Sequence, residues 1–408
     1  MSGRTEVNLE QAATEVAASL QSAGHEAFFA GGCVRDRLLG IEPDDFDIAT
    51  SASPEEVQAV FPRAHGVGEF FGVMLVHRRS WPIQVATFRT EGPYSDHRRP
   101  DHVSTATLEE DAARRDFTIN GMYWDPVSSR LIDLHGGERD LEAGVIRAIG
   151  SPEDRLREDH LRMLRAVRFA SRLGFSIEAE TASVIKGHIS RLEGISRERI
   201  GEEVRRMLLD RNRSSAGGLL ESLGLTASVL GGVREVESFD FLSSLPDVLS
   251  RDDFGTVLAA WSLDRAEEAG PHELSDRWRD KLMLSNTDRD SMSEVLEIVE
   301  RLHSDWSVAS VARQKRLAAR RRFEAAVRLV SVSEPGLASE VLSTVDQLAL
   351  TGLAPDPLLG GRDLIDAGFQ AGPRFTEIIE AVYDAQLEGQ VRTFEQALQL
   401  AGDLWGAS

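Results

Sequence analysis

Asp45 and Asp47 are the residues from which chemistry can first be read. Side chains alternate along an extended chain, so the two carboxylates point to one side and Phe46 turns to the other, into a core. Paired carboxylates repel each other unless a cation sits between them. An all-oxygen pair suits Mg²⁺, which usually keeps substrate phosphates in its shell. Upstream lies Gly31-Gly32-Cys33-Val34-Arg35-Asp36. Glycines without a Cβ let the backbone approach a triphosphate, and Arg35, in the first helical turn after them, adds positive potential.

These groups need a scaffold. Glu26–Ala30 reads as a short apolar strand that the glycines turn into a helix, and Asp45–Asp47 opens a second β-like run. Before them, residues 8–23 read as a helix with Asn8 as N-cap and Gly24 as the stop. After them, Ser53-Pro54-Glu55-Glu56 opens another helix, serine capping and proline at the first position. Phe71–Val76 and Ile83–Phe88 read as paired strands joined through Arg78–Pro82, and Leu131–Leu134 and Val145–Ile149 as closing strands on either side of Gly136-Gly137. The polar stretch Thr90–Val103 is expected to be a mobile loop. From Ser151 the pattern is helical. Glu158–Leu173 is expected as one helix with Leu161, Leu164, Val167 and Phe169 on its apolar face and arginines opposite. Ser196–Asp210 follows as another, and Pro335-Gly336 and Pro355–Gly361 mark breaks further on.

At 408 residues the chain should hold more than one domain, and 41% hydrophobic with 28% charged residues is an ordinary globular balance. A single cysteine, Cys33, excludes an internal disulfide framework and a Cys-rich zinc site; it reads as a small packed residue. No signal core or membrane-length apolar run is present, so a cytoplasmic protein is expected, with no membrane or disulfide-linked partner. A net charge of −21 taken alone argues against nucleic acid. Binding depends on local charge, however, and arginines cluster at Arg155–Arg172 and Arg313–Arg322.

The string GGCVRDRLLG…DDFDIATSASPEEV resembles the head of the class II tRNA nucleotidyltransferase/poly(A) polymerase family. The resemblance runs from about residue 25 to 210 and returns in the tail, at Gly361-Arg362-Asp363-Leu364-Ile365 and Gly372-Pro373-Arg374-Phe375. It implies an α+β fold, a polymerase-β-type head with a small mixed sheet over residues 1–145. A helical neck that reads the nucleotide base (146–214), a helical body (215–330) and a tRNA-binding helical tail (331–408) would follow. The implied reaction is nucleotidyl transfer, in which a hydroxyl attacks the α-phosphorus of a triphosphate and pyrophosphate leaves. Asp45 and Asp47 would hold Mg²⁺. Family members usually carry a further carboxylate just before the VATFR stretch, where this chain has Gln84, so a two-aspartate site is expected.

For the nucleotide, the resemblance implies Gly32, Arg35, Arg115 of the RRD motif, and Asp159, Arg162, Arg165 and Arg168 of EDHLRMLRAVRF. On a helix Asp159 and Arg162 would share a face. A carboxylate accepts from the exocyclic amine of cytosine or adenine and a guanidinium donates to their ring acceptors. Uracil and guanine present the opposite pattern. Protein would thus replace a template. Ser196, Glu198, Arg199 and Glu203 are read as braces for the neck, and Arg320, Arg321 and Arg322 as the basic surface for tRNA.

CCA addition to tRNA 3′ ends from CTP and ATP, by a monomer or homodimer, is the favoured function. Glu69 within Val67–Phe71 speaks against a poly(A) polymerase, which has a basic segment there, and Asp96-His97-Arg98-Arg99-Pro100 speaks against a CC-only enzyme. An A-adding specialist remains compatible. A catalytically silent RNA-binding protein is opposed by intact Asp45, Asp47, Asp159 and Arg162.

Overall fold

Capping chemistry sets the first element. The side chain of Asn8 accepts the Gln11 N–H and Gln11 reaches back, opening α1 at Leu9–Ser22, and Gly24 ends it at a φ of +94°. A computed structural model of the chain describes residues 8–67, 72–91, 103–232 and 236–406. It divides into two units, Met1–Val233 and Arg234–Ser408.

In the first unit, β1 (Ala27–Ala30) leads through the glycine turn into α2 (Gly32–Leu38). Then come β2 (Ile48–Thr50), α3 (Pro54–Val60), β3 (His65–Gly66), β4 (Val73–Arg78) and β5 (Trp81–Thr87). β6 (Arg89–Glu91) and β7 (Val103–Thr105) pair antiparallel with each other. Residues 92–102, with the Asp96–Pro100 motif, and residues 68–71, with Glu69, lie outside the described residues. The head closes with α4 (Leu108–Ala113), β8 (Tyr123–Asp125), β9 (Arg130–Ile132), α5 (Gly137–Glu142) and β10 (Val145–Ile146). Seven strands form a mixed sheet in the order β3-β4-β5-β2-β1-β8-β9. β1 and β2 are buried at every position, as central strands covered on both faces must be.

Helices follow: α6 (Pro152–Glu158), α7 (Arg162–Leu173), β11 (Ser176–Ile177) paired with β10, then α8 (Ala179–His188), α9 (Arg197–Leu208), α10 (Arg213–Ser222) and α11 (Leu225–Leu230). The continuous helix expected over Glu158–Leu173 is broken. Asp159 is extended, at φ −143° and ψ 104°, and its carboxylate accepts the Leu161 N–H at 3.0 Å. An aspartate that satisfies a neighbouring backbone donor competes with the helix ladder, and here it wins.

The second unit is helical, from α12 (Asp240–Ser244), α13 (Phe254–Asp264), α14 (Pro271–Leu282) and α15 (Asn286–Ser304) to α16 (Val311–Ala318), α17 (Phe323–Ser333) and α18 (Pro335–Ala349). It ends in α19 (Gly361–Asp366), α20 (Arg374–Leu387) and α21 (Phe394–Gly406), packed around Leu364, Ile378 and Val382. The run Arg313–Arg322 is therefore not one helix: Arg320–Arg322 fall in the turn between α16 and α17. Among the described residues no helix is long and apolar enough to cross a membrane.

Candidate active site

Just ahead of β2 the alternation read from the sequence is present. Phe46 is buried against Phe29, ring centroids 5.0 Å apart, while Asp45 and Asp47 face outward. Ala30 donates its N–H to the Asp47 carbonyl at 3.0 Å, which fixes the segment against β1. Both carboxylates line a cavity of about 700 Å³. Burial, and next the charge of Asp45, push the Asp47 carboxyl up to about 6 against the pull of Arg115. That charge conflict is one a divalent cation would relieve, and two carboxylates beside room for substrate phosphates is a donor set that Mg²⁺ fits. β2 and β5 run parallel with Ile48 opposite Val85, which brings Gln84 level with Asp47. Gln84 lines the same cavity, and among the described residues no group of three or more His, Cys, Asp or Glu is arranged to hold a metal.

The glycine turn is built for closeness. Gly31 has φ +76°, and a Cβ there would stand 3.0 Å from Arg115 Nη1. Gly32 has an ordinary backbone and faces the cavity. Cys33 is buried and its thiol is pushed up to about 12, chiefly by burial, as a packed residue should be. Arg35 differs from the expectation of an available cation. It is 3% exposed, donating to Asp36 Oδ1 at 2.8 Å and to Asn120 Oδ1 at 2.7 Å. Its charge is largely spent tying the turn to the segment after α4.

Arg115 is held by Tyr123 Oη at 3.0 Å and Asp111 Oδ2 at 3.2 Å, and lies over the Tyr123 ring. Asp116 accepts from Arg165 twice, at 2.6 and 2.8 Å, and from Asn120 at 3.1 Å. Burial raises the Asp116 carboxyl, but the charge and hydrogen bonds of Arg165, with Asn120 and Arg162, outweigh it and bring it down to about 2. The RRD aspartate holds an arginine of α7 in place.

The break at Asp159 changes how the pair expected to read the base is presented. Asp159 and Arg162 line the cavity from a turn and a helix start, without sharing one helical face. Asp159 Oδ2 accepts from Arg199 at 2.7 Å. Arg162, 7% exposed, donates to Glu158 and to the Arg155 carbonyl, both at 2.7 Å, and to the Arg114 carbonyl at 3.1 Å. Arg165 and Arg168 line the cavity as expected, Arg168 paired with Glu203 at 2.7 Å. Among the described residues nine arginines and six aspartates line the cavity, in a chain of net charge −21, so arginine is locally in excess at a site able to take a polyanion.

Arg199, read from the sequence only as a brace, also reaches the cavity, and Asn120, Phe169 and Arg172 were not singled out for it. For Arg172 the signal was available: it continues the three- and four-residue spacing of Arg162, Arg165 and Arg168. In the second unit, Arg320 is paired with Glu294 and Glu297, and Arg322 donates to Asp253 and to the Asp252 carbonyl. Of the three, only Arg321 presents its side chain broadly, 71% exposed.

Residues 27–147 match the Poly A polymerase head domain, and residues 174–236 the probable RNA and SrmB-binding site of polymerase A. The chain is 33% identical to the CCA-adding enzyme of Lactobacillus delbrueckii subsp. bulgaricus, covering 95% of this chain and 96% of that protein. It is 38% identical to the CCA-adding enzyme of Lactiplantibacillus plantarum over 68% of each. Its fold is similar to the Bacillus stearothermophilus CCA-adding enzyme solved in complex with CTP, at a TM-score of 0.80 and 27% identity over 98% of this chain and 99% of that one.

Proposed function

The chain belongs to the CCA-adding enzymes, and on that premise we propose that it extends the 3′ end of tRNA with C, C and A. The substrates are CTP and ATP, and each addition releases pyrophosphate. One observation carries the reading: Asp45 and Asp47 open on the same cavity as Asp159 and Arg162. A carboxylate pair at one wall and a base-reading pair at another is what nucleotide addition without a template requires.

Nucleotidyltransferases of this family are metal-dependent, and Mg²⁺ is the proposed ion, held by Asp45 and Asp47. When bound there it would lower the pKa of the attacking hydroxyl and offset charge developing at the α-phosphorus. The side chains do the rest. Arg165 and Arg168, fixed by Asp116 and Glu203, face the triphosphate. Asp159 accepts from the amine of cytosine or adenine, and Arg162 donates to the ring acceptors. Uracil and guanine place like groups against both and are refused. By this reading the head (1–145) and neck (146–214) fall within the first unit and the tail (331–408) within the second, with the body (215–330) divided between them; Arg321 is the exposed candidate of its cluster for an RNA phosphate.

Purified protein incubated with tRNA lacking CCA should incorporate two C residues from CTP alone and complete CCA with CTP and ATP together. Addition of A only to tRNA already ending in CC, with no C incorporated, would assign it instead to the A-adding specialists.

A further inference from the structure

Phe169 lies on α7 directly after Arg168 and four residues past Arg165, 5% exposed, in the wall of the active-site cavity. Its ring is anchored edge-on by Phe117, centroids 6.0 Å apart. Around that one ring stand three guanidinium carbons: Arg168 at 4.2 Å, Arg35 at 5.1 Å and Arg165 at 5.3 Å. Each of the three is also held by a carboxylate, Glu203, Asp36 and Asp116 respectively. Arg35 comes from the head helix after the glycine turn and the other two from the neck, so the ring joins two segments far apart in sequence.

A carboxylate alone leaves a guanidinium free to swing about their shared hydrogen bonds. An aromatic face adds a second, directional attraction, through the negative face of its quadrupole, and restricts where the charge can rest. It also offsets part of the repulsion among three cations whose guanidinium carbons stand 4.2, 5.1 and 5.3 Å from the one ring centroid. A leucine would fill much of the same space with no such face. We propose that Phe169 is a positioning residue that sets Arg165 and Arg168 as the cradle for the triphosphate of the incoming nucleotide, with Arg35, already tied to Asp36 and Asn120, fixed against the same ring behind them. The inference rests on the nucleotidyl-transfer reading above.

The test compares Phe169→Leu and Phe169→Tyr with the wild type, using tripolyphosphate as a phosphate-only inhibitor of CTP incorporation and cytidine as a phosphate-free one. Phe169→Leu should raise KM for CTP and ATP, and the inhibition constant of tripolyphosphate, roughly tenfold, since three cation–π contacts weaken together. Its kcat, its KM for tRNA and its inhibition by cytidine should stay within about twofold, the span expected where this ring takes no part. Phe169→Tyr keeps the aromatic face and should restore the phosphate affinity. Equal weakening of tripolyphosphate and cytidine in the leucine variant, no weakening of either, or a tyrosine variant as poor as leucine, would each overturn the proposal. Should Phe169→Leu fail to fold, Phe169→Met makes the same comparison with a longer apolar chain. A wild type that incorporates neither CTP nor ATP would overturn the underlying reading instead.

Discussion

Asp159→Asn puts the base-reading assignment at greatest risk. In the structure Asp159 Oδ1 accepts the Leu161 N–H at 3.0 Å and Oδ2 accepts from Arg199 at 2.7 Å. Asparagine keeps an oxygen for Leu161, so the turn between α6 and α7 should form, while the second oxygen becomes an amino group and the Arg199 contact is lost, at some cost in melting temperature. Where the carboxylate accepted from the amine of cytosine or adenine, the amide now donates, the pattern that uracil and guanine need. One mispaired buried contact costs about 1–3 kcal/mol, or roughly 5- to 150-fold in kcat/KM. The CTP-to-UTP ratio of kcat/KM, measured with each triphosphate singly on tRNA lacking CCA, should therefore fall by that factor. Chemistry should persist, because Asp45 and Asp47 are untouched. Asp159→Ala, with no donor to offer, should blur selectivity without favouring UTP. If Asp159→Asn remains fully selective and loses only turnover, Asp159 merely shapes the turn, and base recognition must be sought elsewhere on the cavity wall.

Asp45→Ala and Asp47→Ala should each abolish incorporation without lowering the melting temperature, since neither removes core packing and each relieves the repulsion between the two carboxylates; near-normal incorporation at moderate Mg²⁺ would remove them from the metal site. Gly31→Ala should cost on the order of 1–2 kcal/mol in denaturant melts, because a side chain is strained at φ +76° and would press on Arg115, whereas Gly32→Ala should fold normally. Asp116 falls from its ordinary 3.8 to about 2 in the fold, equivalent to about 2 kcal/mol. A depressed carboxylate contributes stability that is present above its unfolded value and lost as pH falls through the folded one. The stability gap between wild type and Asp116→Asn should thus be about 2 kcal/mol at neutral pH and close between about pH 4 and pH 2; a gap constant across that window would contradict the ion-pair account. Arg321→Glu should raise KM for tRNA more than for ATP and flatten its salt dependence, while Arg322→Ala should mainly lower the melting temperature; tRNA affinity unchanged across a salt series would return Arg321 to an ordinary solvated surface.

What the sequence by itself determined is local. The period-2 alternation of Asp45, Phe46 and Asp47, the glycine turn after a buried strand, and the caps at Asn8 and Ser53 all depend on neighbours a few residues away. Spacing and residue type therefore suffice, and the likeness of Glu158–Phe169 to a family motif extended this to the neck. Only the tertiary structure decided which arginines keep their charge available. Arg35 is captured by Asn120, 85 positions on; Arg199 takes Asp159 across 40; Arg320 and Arg322 are paired by acids from other helices. The break at Asp159 is local in origin, an aspartate accepting from the Leu161 N–H, and the tertiary structure adds Arg199, and Arg162 reaching the Arg114 carbonyl, to hold it. An ion pair is settled by which carboxylate packing delivers, and packing joins segments whose separation along the chain leaves no periodic trace.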